Sequence, residues 1–413
     1  MMATTQTTLN TGLPPQSETD EARRIDGFVV STALTSLALL AGLIGLEAPI
    51  DRVWLLFVGV GLGIALYHAA FGFTAGWRNL VLKRRSGGMR AQMLLLAIAT
   101  VLFVPVLGFA ETLGLTGISG TLAPVGVSLL VGSSLFGFGM QLGGGCGSGT
   151  LFTVGAGNLR MMVTLTTFII GSVIGTMHLP WWLAQPGIDP VDLIAGVGVM
   201  PTLVLQLGAL GLLAMWFARI ERQHHGEVER AILQRPVGPW YTTLLKGGWP
   251  LLWGAIALAL LNLATLLIAG YPWGITFAFG LWGAKVLQAL GVDMAQWAFW
   301  TWDYPALALA DSVLVNVVSV MDFGLLLGAM LAAGLAGRFN RASRRPLPAR
   351  SITAAVIGGL SMGYGARLGF GCNIGAMFSG IASASLHGWI WFACAFAGSL
   401  AGIRLRPWFG LDQ

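Results

Sequence analysis

One glycine-rich segment occurs twice in the chain, and it limits what the chain can fold into. The first copy spans residues 137–149 and reads Gly-Phe-Gly-Met-Gln-Leu-Gly-Gly-Gly-Cys-Gly-Ser-Gly. The second spans residues 363–375 and reads Gly-Tyr-Gly-Ala-Arg-Leu-Gly-Phe-Gly-Cys-Asn-Ile-Gly. At the offset of 226 that separates Cys146 from Cys372, seven of the 13 positions are identical. The repeat predicts two related halves, each of which sets one cysteine in glycine-rich backbone.

The composition of the chain places both copies in a membrane protein. Of 413 residues, 55% are hydrophobic and 10% are charged, and the mean hydropathy is +0.77. Apolar runs of membrane-spanning length recur, and helices are the spanning elements that satisfy every backbone polar group within one segment. We therefore predict an all-α, polytopic helical membrane protein. The net charge of +6 is concentrated in a few loops, which is typical of membrane orientation rather than of nucleic-acid binding.

Basic residues indicate which connections face the cytoplasm. They cluster at 78–90, 219–246, 338–350 and 404–406, whereas the connections near 47–51, 111–121, 179–192 and 270–271 carry few or none. If the basic clusters lie inside, the segment with the first copy starts and ends outside, and the segment with the second starts and ends inside. This parity predicts two inverted repeats, the plan of many secondary transporters, with interrupted or re-entrant helices near the midplane.

The predicted organisation has six parts. The first 25 residues are mainly polar, which predicts disorder. Arg23 and Arg24 are expected to hold the N-terminus inside. The parts are a disordered N-terminal tail (1–25), an N-terminal transmembrane helix and outer loop (26–51), membrane repeat 1 (52–178), a connecting transmembrane helix and cytoplasmic basic loop (179–248), membrane repeat 2 (249–406) and a C-terminal tail (407–413).

Each glycine-rich copy is predicted to break a membrane helix at its cysteine. Five glycines lie between Leu142 and Gly149 inclusive, and each costs a helix ~1 kcal/mol relative to alanine. One half-helix should end before Cys146 and another should begin after it. The free amides and the positive dipole end of the second half-helix then face an anion. A thiol at this place donates a weak S–H hydrogen bond to a soft partner such as sulfur.

The alternative interpretation of each copy is a small-residue packing helix in which cysteine is a small hydrophobe. Duplication favours a function for Cys146 and Cys372, whereas Cys394 has no partner in the first repeat and is predicted to pack. The chain has no Cys-x-x-Cys pair and no clustered His/Cys spacing, so we predict neither a metal site nor a cofactor.

The predicted substrate-binding and translocation residues lie mainly in the two copies. Arg367 is expected to neutralise an anion, and Asn373 to supply an amide donor. Outside the copies, His68, Arg78 and Lys285 are further candidates, with packing or an interfacial anchor as the alternative role. The predicted residues of the copies are Gly145, Cys146, Gly147, Ser148, Arg367, Gly371, Cys372 and Asn373.

The sequences Gly-Gly-Gly-Cys146-Gly-Ser-Gly and Gly-Ala-Arg367-Leu-Gly-Phe-Gly-Cys372-Asn-Ile-Gly-Ala resemble the YeeE/YedE family of inner-membrane sulfur-compound transporters. The resemblance covers most of the chain after about residue 50. It implies bacterial thiosulfate uptake through an hourglass-shaped helical protein of pseudo-twofold symmetry. It further implies that cysteines at the narrow centre pass the ion along by S–H···S contacts, while helix dipoles supply positive potential.

The chain departs from this family in one motif. Family members commonly have an earlier cysteine in a Phe-Cys-x-x-(Gly/Ala)-x-x-Arg-like stretch. The nearest stretch here is 71–78, Phe-Gly-Phe-Thr-Ala-Gly-Trp-Arg, which lacks that cysteine. His68, one turn upstream, is the candidate substitute.

The leading hypothesis is a permease, not an enzyme, that takes up a small sulfur-containing anion, thiosulfate first, past Cys146 and Cys372. The alternatives are a transporter of a related sulfur or selenium species, and a membrane sulfur-transferase or thiol redox protein that forms a persulfide at a central cysteine. The expected partners are the anion, the lipid bilayer and, at the basic loops, a cytoplasmic sulfur-carrier protein. We predict a multi-pass protein of the bacterial inner membrane with both termini in the cytoplasm. The central geometric prediction is that the two cysteines lie close together.

Overall fold

The computed structural model describes residues 24–234, 239–340 and 347–411. Most of the predicted disordered tail, residues 1–23, lies outside this part of the chain. The described residues form helices and one two-stranded antiparallel ribbon, β1 (Val125–Gly126) with β2 (Gly187–Ile188). The helices are α1 (Gly27–Glu47), α2 (Ile50–His68), α3 (Phe73–Lys83), α4 (Gly87–Gly108), α5 (Val127–Gly143), α6 (Gly147–Gly155), α7 (Leu159–Leu183), α8 (Leu193–Val197), α9 (Val199–His225), α10 (Trp240–Lys246), α11 (Leu251–Ala269), α12 (Thr276–Ala289), α13 (Asp303–Ala310), α14 (Val317–Leu335), α15 (Ala349–Leu368), α16 (Gly380–Ala382) and α17 (Leu386–Leu405).

Nine helical stretches within the described residues are long and apolar enough to cross a membrane. Two of them contain an interruption, since Ile50–Lys83 includes α2 and α3, and Val127–Gly155 includes α5 and α6. The lipid-facing character of the first helix is visible in its side chains, because Phe28 and Leu46 are among its most exposed residues. The prediction of an all-α, polytopic membrane protein is confirmed.

Short polar and proline signals set the starts of the long helices. Asn158 and Asn316 cap α7 and α14, and their side chains accept hydrogen bonds from the amides of Met161 and Ser319. Such caps satisfy amides that the first helical turn leaves without a partner. Helices α2, α11 and α15 instead begin directly after a proline, whose fixed φ favours the start of a helix.

Helices α5 and α15 cross at the centre of the molecule. Helix α17 packs on α5, α7 packs on α15, and α14 packs on α2. The crossing is close because glycines face backbone: a Cβ atom at Gly139 would lie 2.7 Å from the carbonyl O of Gly358. Likewise, a Cβ atom at Gly365 would lie 2.6 Å from the carbonyl O of Gly132. Glycine removes the side chain that would hold two membrane helices apart.

A short helical segment follows each of the two helices α5 and α15 in the chain. One is α6, which packs against α7 and α14, and the other is a π-helical segment, Asn373–Ser379, which continues into α16. The π-helical segment packs against α17 and also contacts α6. Each segment begins directly after one of the duplicated cysteines.

Candidate functional site

The first glycine-rich copy separates α5 from α6. Helix α5 ends at Gly143, Gly144 follows with a φ of 95°, and α6 begins at Gly147. Cys146 occupies the N-cap position in extended backbone, with φ −82° and ψ −165°. Its carbonyl accepts hydrogen bonds from the amide and the hydroxyl of Thr150, each at 2.8 Å. Cys146 therefore stands at the amide end of a helix, where the dipole is positive.

The second copy also separates two helical segments. Helix α15 ends at Leu368, and the π-helical segment begins at Asn373, with Cys372 at its N-cap position. Cys372 has φ −116° and ψ −167°, an extended backbone like that of Cys146. Its carbonyl accepts from the amides of Ala376 at 2.9 Å and Met377 at 3.3 Å, and the second bond gives the wider π-helical turn. The two cysteines thus occupy the same position in segments of different helical type.

The two copies meet at Gly147. A Cβ atom at Gly147 would lie 3.0 Å from Sγ of Cys372 and 3.5 Å from Cγ2 of Ile275, so a side chain there would press on the second cysteine. Because Gly147 directly follows Cys146, the two cysteine positions adjoin. Both are buried, with 2% of Cys146 and none of Cys372 exposed. This contact agrees with the predicted proximity of the two cysteines.

Polar residues lie next to the two cysteines. The Sγ atom of Cys146 lies 3.4 Å from Oγ of buried Ser148. The Sγ atom of Cys372 accepts from the amide of Ile374, also at 3.4 Å. The side chain of Asn373 is fully buried, and neither its oxygen nor its nitrogen has a hydrogen-bond partner among the described residues. Since buried amides are normally satisfied, Asn373 is equipped to bind a polar ligand here.

Arg367, in the second copy, is flanked by aromatic rings. Its guanidinium donates to Oγ1 of Thr276 at 3.4 Å, and its Cζ atom lies 5.9 Å from the ring centre of Phe277 and 6.0 Å from that of Phe299. These distances suit cation–π contacts. Within the described part of the chain, its Nε atom has no hydrogen-bond partner. The guanidinium is also in electrostatic range of Cys372, so the second thiol lies in the field of a buried cation.

A cavity of about 30 Å³ lies beside Cys146. That volume is about what one water molecule needs. Its wall combines the first glycine-rich copy with the start of α3, including Gly72 and the half-buried Arg78. Gly72 is the position where the resembling family has its earlier cysteine. The site at Cys146 therefore adjoins the stretch in which this chain departs from the family.

The contacts of His68 and Lys285 described here are with residues outside the two glycine-rich copies. The His68 ring lies 5.7 Å from the ring of Trp249, and its carbonyl accepts from the amides of Gly248 and Trp249. The Lys285 ammonium donates to the carbonyls of Leu309, at 2.7 Å, and Asp311. It thereby compensates the negative carbonyl end of α13.

Sequence patterns do not single out Thr276, Phe277 and Phe299 as neighbours of Arg367. Phe299 lies in a 3₁₀ turn, Ala298–Thr301, in the connection before α13, and no motif relates that connection to the glycine-rich copies. Phe277 has a weak signal, since it belongs to a Phe-x-Phe pair that is similar to the pair at Phe71 and Phe73. Gly72 is detectable only through its alignment with the cysteine of the family motif.

Three known transporters are similar in sequence to this chain. The probable transporter YedE of Salmonella typhimurium is 36% identical over 149 residues, which are 36% of this chain and 36% of that protein. The thiosulfate transporter TsuA of Spirochaeta thermophila is 26% identical over 351 residues, 81% of this chain and 93% of that protein. TsuA of Escherichia coli is 23% identical over 341 residues, 81% of this chain and 89% of that protein. The match thus spans little more than a third of YedE but most of each TsuA.

The family model covers both glycine-rich copies in a single match. It bears the description Sulphur transport, and it matches residues 68–401, which extend from the end of α2 into α17. The family description and the names of these relatives are those of transporters rather than of enzymes. The chain belongs to the Sulphur transport family, which is the YeeE/YedE family.

Proposed function

We propose that the chain is a permease for a small sulfur-containing anion, with thiosulfate as its first substrate. The observation that carries this proposal is the contact at Gly147, where two buried cysteines at the starts of two helical segments adjoin. A membrane protein gains little from burying two broken helices for packing alone, because each break leaves amides without helical partners. An anion at this point would accept from those amides.

The chemistry of the site suits a soft, charged ligand. Thiosulfate has a terminal sulfur that accepts the weak S–H hydrogen bonds of thiols, and sulfonate oxygens that accept from amides. Cys146 and Cys372 serve as the S–H donors, and Ser148 and Asn373 as donors to the oxygens. Because the amide end of α6 has a positive dipole, it stabilises the ion further.

Arginines lie on both sides of the paired cysteines in this proposal. Arg78 shares a cavity with Cys146, and Arg367 is in electrostatic range of Cys372. An anion that passes from one thiol to the other therefore moves between two positive fields. Gly145, Gly147 and Gly371 let the backbone lie close to the thiols, since a Cβ atom at each would come within 2.8–3.0 Å of a neighbouring atom.

We further propose that residues 52–178 and 249–406 are inverted repeats about a pseudo-twofold axis through the α5–α15 crossing. Contacts that recur at the offset of 226 support this arrangement. Gly139 approaches the carbonyl of Gly358, and the equivalent residue Gly365 approaches the carbonyl of Gly132, which is equivalent to Gly358. With the positive-inside rule, the arrangement puts both termini in the cytoplasm of a bacterial inner membrane and the broken helices near its midplane. The six-part division of the chain, the roles of His68 and Lys285, and the sulfur-carrier partner stay predictions.

The test of the substrate is uptake of radiolabelled thiosulfate by cells that have no other route for it. We expect cells that express the chain to accumulate the label, and unlabelled sulfate to compete poorly because it has no terminal sulfur. Unlabelled selenium and polysulfur anions, added in the same assay, rank the related substrates. Equal uptake with and without expression would exclude thiosulfate.

Removal of the buried cation should weaken substrate capture. We expect Arg367→Gln to raise the KM for uptake by about tenfold, which corresponds to a loss of about 1.4 kcal/mol, because the anion loses a nearby positive charge in a poorly screened site. Initial uptake rates over a range of thiosulfate concentrations, normalised to the amount of protein in the membrane, measure this change. The matched control is Arg404→Gln, since Arg404 is exposed near the end of α17. An unchanged KM in Arg367→Gln would remove Arg367 from the substrate path.

A further inference from the structure

Asp322 is a buried carboxyl group in the first third of α14, beside the middle of α2. It has no exposed area, and neither of its oxygens has a hydrogen-bond partner in the described ranges of the chain. The level of Asp322 relative to α2 is given by the preceding residue, Met321. The Cα atom of Met321 would lie 3.1 Å from a Cβ atom at Gly59. Gly59 is the middle residue of α2, which runs from Ile50 to His68. An ionisable group at such a depth is costly and usually functional.

The Asp322 side of α14 faces helices of the cysteine site. One turn earlier, Ser319 accepts a hydrogen bond from Nε1 of Trp282 in α12 at 3.0 Å. One turn later, the carbonyl carbon of Leu326 would lie 3.2 Å from a Cβ atom at Gly155 in α6. Residues three and four positions apart share a helix face. Asp322 is therefore directed towards α12 and α6, and it is in electrostatic range of Cys372.

The helices around α14 provide no cation for this carboxyl group. Helix α6 contains no charged residue, and the ammonium of Lys285 in α12 is bound to the carbonyls of Leu309 and Asp311. The Arg52 side chain at the start of α2 pairs with Asp51. The charged or titratable residues of the helices that pack on α14 lie at or near helix ends, apart from the Lys285 just described, and they are Glu47, Asp51, Arg52, Tyr67, His68, Tyr241 and Lys246.

These positions make the charge of Asp322 and the charge of a passing anion interdependent. An ionised carboxylate without a partner is strongly disfavoured in the membrane interior, and a second negative charge nearby adds repulsion. A protonated carboxyl is neutral and removes that repulsion. By linkage, a proton on Asp322 then strengthens anion binding, and the anion strengthens proton binding by the same factor.

We propose that Asp322 is a proton-binding site that couples uptake of the anion to entry of a proton. The carboxylate takes a proton from the outer side, the O–H bond persists while the anion occupies the cysteine site, and the proton is released inside after the anion leaves. No electrons are transferred. This inference rests on the proposed function, because it assigns an energy source to the same path.

The test uses the full-length protein in proteoliposomes. Exchange of radiolabelled thiosulfate without any gradient measures transport itself, and uptake with the outside one pH unit more acid measures coupling. For the wild type we expect the acid-outside gradient to accelerate uptake by up to about tenfold, since one pH unit is a tenfold ratio of proton activity. In Asp322→Asn, which keeps the shape but cannot titrate, we expect exchange to continue and the acceleration to disappear. Asp311→Asn is the matched control, because Asp311 is exposed in the connection before α14.

Each outcome separates the two proposals. If the wild type exchanges thiosulfate and the pH gradient accelerates uptake by Asp322→Asn as much as by the wild type, the role of Asp322 is overturned. A pH-sensitive dye inside wild-type vesicles provides a second measurement that does not depend on the folding of a variant. If thiosulfate exchanges but its entry brings no protons, the coupling is overturned and the proposed substrate stands. If the wild type exchanges no thiosulfate, the proposed substrate fails, and the coupling fails with it.

Discussion

Cys146→Ala and Cys372→Ala will each lower the initial rate of thiosulfate uptake by about tenfold or more at subsaturating substrate. A hydrogen bond to a charged ligand contributes about 1.5–3 kcal/mol, and 1.4 kcal/mol is a factor of ten. The loss should be similar for the two residues because both thiols stand at the N-cap of a buried helical segment and adjoin at Gly147. Rates normalised to the amount of membrane protein give the comparison.

Serine variants and a third cysteine sharpen this test. Cys146→Ser and Cys372→Ser retain a hydroxyl donor but lose the soft sulfur, so we expect their uptake to fall between the wild type and the alanine variants. Cys394→Ala should transport as the wild type does, since Cys394 lies half-buried in the middle of α17. If both alanine variants transport at the wild-type rate, the thiols have no part in translocation and the helix amides alone must carry the ion.

Features with a local cause could be predicted from the sequence. The apolar stretch from Phe28 to Leu46 corresponds to α1, Gly27–Glu47, because length and hydropathy alone define a lone membrane helix. The glycine run from Leu142 to Gly149 was enough to place a break between α5 and α6, since the cost of glycine in a helix is local. The pairing of the two cysteines followed from their duplication.

Features with a distant cause could not be predicted. Phe299 reaches Arg367 from a connection 68 positions earlier (367 minus 299), and no periodicity in the sequence reports such a contact. The π-helical turn after Cys372 likewise cannot be predicted from the sequence, because the two copies align without a gap. Asp322 can be read from the sequence as an acid in an apolar span, but its direction depends on how α14 packs against α2, α6 and α12.

The largest effects on folding are expected at two equivalent glycines, Gly137 in α5 and Gly363 in α15. A Cβ atom at Gly137 would overlap the carbonyl of Ala395 in α17, and a Cβ atom at Gly363 would overlap the carbonyl of Phe168 in α7. Alanine at either position must push two central helices apart. We expect Gly137→Ala and Gly363→Ala to cost about 1–3 kcal/mol or more and to lose most of the monodisperse protein after detergent extraction and mild heating.

The control for these variants is a glycine-to-alanine substitution that is expected not to lower stability. Gly42 lies on the exposed side of α1, where a Cβ atom would meet nothing within 4 Å. Alanine is the better helix former by about 1 kcal/mol, so Gly42→Ala should leave the protein as stable as the wild type or slightly more stable. The contrast separates close packing from helix propensity, because the substitution is identical at all three sites. If Gly137→Ala is destabilising and Gly363→Ala is not, the two helix crossings are not equivalent and the proposed pseudo-twofold axis is wrong. Full stability in both variants would mean that α5 and α15 do not approach their neighbours this closely.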